Sequence, residues 1–501
     1  MKNRKPTHPD QPLILHDHKR PLTRRDFLAQ GFLSGVGMVM APTLLGMLGA
    51  RRANAQTFVC SVRAGAGLIP FIVVDLAGGA NIAGSNVLVG GPGGQLDFLT
   101  ASGYSQLGLP SGMTPQNAGQ VNTDLGLAFH NDSAFLRGIL SKTAATTRAK
   151  VNGTIFCARS DNDTGNNPHN PMYGINKAGA NGDLVALVGT DASDSGGNSA
   201  APANMIDPTV RPTKIASASD ATGLVDTGQL VSLLNQTQAG QVATAAEQIS
   251  AIKLAKIAED PNLEELVHCS YVQTADLISR FGNPDVVNPN LDPDIVGTGT
   301  SIFTATELNQ ARFQKTAAVM KLVVEGYAGA GTIEQGGYDY HDGTRATGED
   351  RDFQAGQMMG AILEFAARKN APLMLYVISD GALSSNGMVD NSAGGRGKGQ
   401  WTGDNSDTAA TFALVFDPKA TAARPALTRA NANQIGYFRP NGSVETASTP
   451  VANNVGLLVQ AIVLNYLALH GRQGEFGTVL PMNGLGSGAA LDALTAFQPI
   501  V

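Results

Sequence analysis

The sequence predicts an α/β protein with a mostly parallel central sheet flanked by helices. Short apolar runs rich in β-branched residues recur along the chain, several end in Gly- or Asp-containing turns, and segments with helical spacing lie between them. With 43% hydrophobic and 15% charged residues among 501, the chain can bury a large core. This composition excludes collagen, coiled-coil and wholly disordered classes.

The predicted strands have the pattern of buried parallel strands. Leu68–Asp75 is the clearest, because it is apolar up to a closing aspartate and then meets the turn Gly78-Gly79. The other runs of this form are Thr154–Ala158, Leu184–Val188, Pro372–Ile378 and Thr411–Phe416.

Helical spacing predicts the flanking layers. Residues Ala355–Arg368 lead directly into the strand at Pro372, and Asn453–His470 predicts a last, strongly apolar helix. Two further helical stretches, Leu230–Arg280 and Ala305–Tyr327, predict a helical insertion at about 225–330. The Gly-, Ser-, Asn- and Asp-rich segments Asp191–Asp220 and Ser384–Asp407 are predicted as long surface loops.

The first 55 residues have the pattern of an export signal. The segment Thr23–Leu28, with paired arginines before Phe27-Leu28, fits the twin-arginine pattern that the twin-arginine translocase reads. A modestly apolar stretch follows, and Ala53-Asn54-Ala55 predicts cleavage near Ala55. A retained membrane anchor or an exposed basic helix is the alternative, which the glycines and Pro42 disfavour. We therefore expect residues 56–501 to form one periplasmic or secreted domain that does not span a membrane.

Charge distribution argues against nucleic-acid binding. Residues 1–55 hold nine Lys and Arg against three Asp and Glu, which leaves 26 against 38 in the rest of the chain. The body of the protein thus carries a net charge of −12 and no basic run after Arg52. Such a field repels a polyanion.

The three cysteines do not form a metal or redox motif. Cys60, Cys157 and Cys269 lack C-x-x-C spacing, which excludes a zinc ribbon or a thioredoxin-like site. In an oxidising compartment Cys157 and Cys269 are the better candidates for a disulfide, and buried free thiols are an equal alternative.

Polar residues that follow the predicted strands are the first candidates for chemistry, because ligands of open parallel sheets bind at the carboxyl ends of strands. Asp339 and His341 have Asp-x-His spacing, which puts both side chains on one side of an extended segment where they can bind one divalent cation. The other candidates are Asp75 and Asp380, at predicted strand ends, and Asp404, which precedes the strand predicted at Thr411.

Each candidate also has a purely structural interpretation. Asp339 can cap a helix while His341 is simply exposed, and Asp75 or Asp380 can accept N–H bonds from a following helix. His169, on a polar loop, is a weaker candidate. The chain has no G-x-S-x-G elbow, no P-loop and no strand-following G-x-G-x-x-G, so the corresponding hydrolase and nucleotide-binding classes lack their markers. The basic Gly-rich segment containing Arg396 and Lys398 is predicted as a solvated loop.

Taken in order, these motifs resemble a family of twin-arginine-exported bacterial proteins of undefined function that is related to the alkaline phosphatase and sulfatase superfamily. Gly78-Gly79-Ala80 resembles the family's Gly-Gly-Ala-Asp, and Gly337–His341 resembles its Gly-Trp-Asp-Thr-His. Val377–Gly381 resembles a strand ending in Ser-Glu-Phe-Gly, and Thr402–Ser406 resembles Gly-Thr-Asp-His-Gly. The likeness extends over most of the chain.

The resemblance implies an alkaline-phosphatase-like fold that binds one or two divalent metal ions at strand ends. The ion would be zinc, manganese, calcium or magnesium. By position, Asp339 and His341 would be metal ligands, and Asp380 would stand at the family's Glu position. Asp75 would lie near the acid of the family's first strand, and Asp404 would belong to the last motif. The resemblance further implies a hydroxyl nucleophile, for which Ser85 is the nearest candidate after the first strand.

Two departures leave two functions open. Asn81 and Asn405 replace an Asp and a His of the family pattern, and neutral amides are weaker ligands. The usual sulfatase signature is also missing. One expectation is metal-dependent hydrolysis of a phosphate or related ester. The other is a catalytically inactive relative that binds or assembles with a component of the cell envelope.

Overall fold

The computed structural model of the chain describes residues 67–161, 167–225, 283–297, 300–420 and 424–501. Nearly all of them belong to one unit, Arg63–Leu224 with Pro284–Val501. A second unit, Met1–Val62 with Val225–Asn283, adds only its border residues 225 and 283. The predicted export signal, Cys60, Cys269 and the helical stretch Leu230–Arg280 lie outside the described residues.

An eight-stranded sheet forms the centre of the first unit, and its strand order is β12-β4-β11-β8-β1-β7-β5-β6. Two short pairs, β2 with β3 and β9 with β10, lie outside this sheet. The strands are β1 (Phe71–Ala77), β2 (Val121–Leu125), β3 (Leu127–His130), β4 (Val151–Phe156), β5 (Val185–Gly189), β6 (Thr213–Lys214), β7 (Ala328–Gly336), β8 (Leu373–Ser379), β9 (Leu383–Asp390), β10 (Lys398–Asp404), β11 (Thr411–Phe416) and β12 (Gln434–Ile435).

The sheet is mostly parallel, as predicted. Strand β1 pairs in parallel with both β7 and β8, and β5 pairs in parallel with β6 and β7. Strand β11 is the exception, since it runs antiparallel to β4 and β8. In register, Asp75 lies opposite Glu334 of β7 and Ile378 of β8, so the carboxyl ends of these three strands meet at one edge.

Helices cover both faces of the sheet. On one face α8 packs against α2 and β8, and α7 packs against β1 and β7. On the other face α9 and α4 share a hydrophobic cluster with Phe71 and Val73 of β1. The helices are α1 (Ala101–Gln106), α2 (Ala134–Lys142), α3 (Ala145–Arg148), α4 (Met172–Lys177), α5 (Ala218–Gly223), α6 (Ala305–Leu308), α7 (Ala311–Val324), α8 (Ala346–Arg368), α9 (Val455–Leu469), α10 (Phe476–Val479) and α11 (Ala489–Leu494).

These layers confirm the α/β class. Every residue of β1 and β8 is buried, which explains why both strands are apolar runs without polar alternation. Residues 226–282 of the predicted insertion at about 225–330 lie outside the described part of the chain. Helices α6 and α7 form the helical stretch that was predicted to begin at Ala305.

The segment Ser384–Asp407 is not the long surface loop that its composition predicts. It contains the antiparallel strands β9 and β10, which pair from Lys398 opposite Asp390 to Asp404 opposite Leu383. The prediction was wrong because the pair lies outside the central sheet and much of β9 is exposed, so its sequence carries no continuous apolar run.

Lys398 also corrects the prediction of a solvated basic loop. Its side chain is fully buried, and Nζ lies 2.8 Å from Glu349 Oε1 of α8. The same carboxylate accepts a bond from Arg345 Nε at 3.0 Å, and Arg137 of α2 pairs with its second oxygen. Glu349 thus balances two buried cations between α8 and β10.

Cys157 is a buried free thiol. Of the two alternatives for this residue, a disulfide or an unpaired cysteine, the structure has the unpaired cysteine. Burial raises the pKa of the Cys157 thiol well above its usual value. No helix in the described ranges has both the length and the apolar character needed to cross a bilayer.

Replacing Glu349 tests the importance of the buried ion cluster. Glu349→Gln keeps the side-chain volume but leaves Lys398 and Arg345 buried without their shared counter-charge. We expect it to lower the free energy of unfolding by about 3–5 kcal/mol, measured by urea denaturation.

The matched control is Glu475→Gln, which removes the same charge from an exposed pair with Arg472. Solvent screens that pair, so almost no change is expected there. Equal effects of the two substitutions would contradict the importance given to Glu349.

Candidate metal centre

The loop between β7 and α8 brings two predicted ligands side by side. Tyr338 and Tyr340 point into the protein and are buried, while Asp339 and His341 are exposed. This alternation is that of an extended segment, in which residues two apart share a side. His341 Nε2 lies 2.7 Å from Asp339 Oδ1, as the Asp-x-His spacing predicts.

The hairpin β9–β10 supplies a third group, Asp404. Its position follows from the start of the hairpin, where Asp404 pairs with Leu383 and Asn405 N donates to the carbonyl of Ala382. Asp404 Oδ2 lies 3.4 Å from His341 Nε2. Donor atoms of Asp339, His341 and Asp404 all lie within 4.8 Å of one another, and no other such set of three occurs in the described part of the chain.

One ring nitrogen of His341 faces both carboxylates. When it carries a proton it can donate to one of the two carboxylates, and without that proton it can offer its lone pair to a cation that all three groups share. One imidazole and two carboxylates suit a divalent ion such as zinc or manganese, and three protein ligands on an exposed surface leave coordination positions for water or substrate. The donor set therefore fits a catalytic rather than a closed structural metal site.

Asp75 and Asp380 form a separate, buried pair. Both are almost fully buried, and Ser199 Oγ lies between them, 2.8 Å from Asp75 Oδ1 and 2.6 Å from Asp380 Oδ1. The backbone N–H groups of Asn198 and Ser199 both donate to Asp75 Oδ2 at 2.8 Å. Asn198 Nδ2 donates to Asp380 Oδ2 at 2.6 Å, and the Asn198 residue itself is exposed.

The contact between these two side chains has too few donor hydrogens to satisfy two ionised carboxylates. The Ser199 hydroxyl has one hydrogen and can donate it to only one of the two oxygens that it contacts. Burial and the charge of Asp380 raise the pKa of Asp75 to about 7, against the opposing bonds from Ser199 and Asn198. Burial raises the pKa of Asp380 as well. At neutral pH and without a bound cation, the pair therefore retains a proton for part of the time.

Gly78 lies between the buried pair and the exposed group. Its N–H donates to the Asp380 carboxylate, and a Cβ added at Gly78 would lie 2.7 Å from Asp339 N. Its φ of 121° also disfavours any residue with a side chain. The five predicted ligands are thus divided into two groups on either side of one glycine.

The Ser379 hydroxyl fixes the turn that contains this glycine. It accepts bonds from Gly79 N at 3.1 Å and from Ala80 N at 2.5 Å, and it donates to the carbonyl of Leu76 at 2.7 Å. The end of β8 is thereby bonded to the turn after β1. Asp75 and Asp380 keep their relative position because of this connection.

Ser85, the predicted nucleophile, lies in a buried polar network. It is fully buried, and its Oγ accepts hydrogen bonds from Asn81 Nδ2 and from Arg345 Nη2, the latter at 2.7 Å. The Arg345 guanidinium stacks on the Trp401 ring, 4.4 Å from its centroid. These contacts favour a structural role for Ser85, and its catalytic role stays a prediction.

His169 lies on a loop that crosses the same edge of the sheet. Asn167 Nδ2 donates to the carbonyl of Asp380, and Asn170 Nδ2 donates to Thr332 Oγ1 of β7 at 2.9 Å. His169 is 1% exposed, and neither ring nitrogen has a hydrogen-bond partner among the residues that the structure describes. Burial lowers the pKa of His169 to about 4, so the ring is neutral at physiological pH.

Sequence reasoning missed Ser199 and Asn198. Both belong to the segment Asp191–Asp220, whose composition predicts only a surface loop. The available signal was that a long Gly- and Ser-rich loop directly follows a predicted strand, which is where site-forming loops of a parallel sheet occur. Nothing in that pattern indicates which of its serines reaches Asp75.

Comparison with protein-family models, curated proteins and solved structures gives no match to this chain.

The raised pKa of Asp75 predicts a pH-dependent stability. An unfolded Asp ionises near 3.8, whereas folded Asp75 does so near 7, so between these values the folded state binds a proton that the unfolded state lacks. The contribution of Asp75 to the free energy of unfolding is therefore present at low pH and is lost as the pH rises toward 7. Asp75→Asn mimics the protonated acid. We expect this substitution to reduce the loss of folding stability with rising pH by a few kcal/mol.

The measurement is urea unfolding between pH 4 and pH 8 in the presence of a chelator, so that no bound cation replaces the proton. Asp352 is a second buried acid whose pKa is raised to about 7, and it remains in both proteins. The comparison with wild type therefore isolates Asp75. Parallel stability curves for the two proteins would refute the proton-sharing interpretation.

Proposed function

We propose that this chain is an exported metal-dependent hydrolase of a phosphate or related ester, resembling the alkaline phosphatase and sulfatase superfamily. One observation carries the proposal: Asp404 comes from a distant part of the sequence to join Asp339 and His341, and the donor atoms of all three lie within 4.8 Å of one another at the exposed carboxyl edge of the sheet. That edge is where parallel α/β sheets bind their ligands.

The protein groups have distinct roles in this proposal. Asp339, His341 and Asp404 would hold the divalent cation, which supplies Lewis-acid stabilisation of ester oxygens and a lowered pKa for an attacking oxygen. Asp75 and Asp380, on the other side of Gly78, would accept or release a proton through Ser199. The exposed Asn198 amide lies between this pair and solvent, where it can contact a polar substrate.

Export supports the same proposal. The twin-arginine pattern at Thr23–Leu28 carries proteins that are already folded, and a metal loaded before export is one reason to use that route. We accordingly place the mature protein, from about residue 56, in the periplasm or outside the cell, with the translocase as its partner during export.

A second candidate function is binding or assembly in the cell envelope without catalysis. The contacts of the two substituted asparagines favour it. Asn405 Oδ1 accepts a bond from Asp407 N at 2.8 Å, and Asn81 Nδ2 donates to Ser85, so both amides have local structural partners. The buried position of Ser85 also leaves the predicted nucleophile enclosed.

Metal binding tests the proposal directly. We expect wild type to bind Zn²⁺ or Mn²⁺ with about one ion per chain in the exposed group, measured by titration calorimetry and elemental analysis. His341→Ala and Asp339→Asn each remove one of three ligands and should abolish measurable binding. Hydrolysis of aryl phosphates and aryl sulfates should be lost in parallel.

Asp342→Asn is the matched control. Asp342 lies in the same loop and carries the same charge, but its carboxylate accepts bonds from the backbone and hydroxyl of Thr344. It should bind metal and turn over substrate like wild type. Binding of a cation without hydrolysis would favour the envelope-binding function, and protein that binds no divalent ion would overturn the metal-dependent proposal.

A further inference from the structure

We propose that Tyr340 and Asp352 are positioning residues that hold Asp339 and His341 in the geometry of a shared ligand pair. Tyr340 is the residue between the two ligands, and its side chain points to the opposite side of the segment. As far as cation affinity is concerned, the inference rests on the proposed metal-binding function. The part of the inference that concerns the arrangement of Asp339 and His341 rests on the contacts of Tyr340 alone.

The Tyr340 hydroxyl joins three elements of the fold. It donates to Asp352 Oδ1 of α8 at 2.6 Å and accepts a bond from Asn81 N, in the turn after β1, at 2.9 Å. Asp352 is fully buried, and its other oxygen accepts a bond from Asn86 Nδ2 at 2.7 Å. The phenol therefore ties the ligand loop both to a long helix and to the Gly78–Asn81 turn.

Backbone hydrogen bonds among the described residues hold the two ends of this segment. At its start Tyr338 N donates to the carbonyl of Ala77, and at its end Gly343 N donates to the carbonyl of Trp401. Between these points the side chain of Tyr340 is the buried anchor, 2% exposed. If this anchor moves, Asp339 and His341 move with it, because they are its immediate neighbours in the chain.

The anchor acts on ligands that have little other support. Asp339 and His341 are exposed, and their contact with each other is made at the surface. Exposed side chains sample several rotamers, so convergence on one cation depends on where the backbone holds their Cα atoms. Groups behind metal ligands that fix their orientation commonly affect metal affinity by 10- to 100-fold.

Tyr338 provides a control within the same segment. It is also a buried tyrosine, its ring centroid lies 6.0 Å from that of Tyr340, and its hydroxyl donates to the carbonyl of Arg351 at 2.9 Å. It precedes Asp339, and among the described residues its hydroxyl makes no hydrogen bond to Asp352 or Asn81. Tyr338→Phe and Tyr340→Phe thus remove the same atom from neighbouring buried rings.

The first measurement is the affinity of the full chain for Mn²⁺ and for Zn²⁺, each titrated alone. Tyr340→Phe should weaken binding about 10- to 100-fold, whereas Tyr338→Phe should leave it unchanged. Asp352→Asn keeps an oxygen that can accept the phenol's hydrogen bond and should retain most of the affinity, while Asp352→Ala should behave like Tyr340→Phe. Urea midpoints measured alongside separate an altered site from a general loss of stability.

The second measurement needs no metal. In ¹³C-histidine-labelled protein, the ring signals of His341 are identified by their loss in His341→Ala. Tyr340→Phe should shift and broaden them, and Tyr338→Phe should not. If wild type binds no cation, the proposed function fails and this comparison alone decides the positioning role. Unchanged His341 signals in Tyr340→Phe, or equal effects of the two phenylalanine substitutions, would overturn the inference.

Discussion

Crowding of negative charge at the carboxyl edge of the sheet is the constraint on which this site depends. The register of β1, β7 and β8 brings Asp75, Asp380 and the Asp339 loop to one place. Carboxylates close together repel unless a proton, a hydrogen-bond donor or a cation lies between them. The protein uses the Ser199 hydroxyl for the buried pair and the His341 imidazole for the exposed group. Both groups therefore have a position that a positive charge can occupy.

The two groups differ in how they respond to water. Asp75 and Asp380 are almost fully buried, so the penalty for ionising both is large and protonation is the cheaper way to relieve it. Asp339, His341 and Asp404 are exposed, so water and salt screen the repulsion between the two carboxylates. In the proposed function the open group would hold a cation and the buried group would hold a proton, and metal-assisted and acid–base catalysis use these two elements.

Sequence reasoning predicted the layers and named the five side chains that the structure gathers into the buried pair and the exposed group, and the reasons for its failures are physical. Apolar runs located β1, β8 and β11, because strands buried on both faces must be apolar along their whole length. Asp-x-His spacing located the exposed pair, because an extended segment puts alternate residues on one side. The hairpin β9–β10 was not predicted, because β9 packs against α1, Lys398 of β10 pairs with Glu349 of α8, and neither strand belongs to the central sheet. The antiparallel direction of β11 also has no local signal, because it is set by the path of the chain between strands. Ser199 reaches Asp75 through a loop in which local bonds, such as Ser193 Oγ to the carbonyl of Gly197, combine with long-range bonds that have no signal in the local sequence.

The alternation of buried tyrosines and exposed ligands between Tyr338 and His341 has a consequence for how this protein can vary. Deleting or inserting a single residue there would exchange the two faces, so that aromatic rings would meet water and the aspartate and histidine would enter the interior. Substitution at constant length preserves the arrangement, whereas a change of one residue in length destroys it. Among natural variants that keep the function, the spacing from Gly337 to His341 should thus be more strictly preserved than the identity of any single aromatic residue within it.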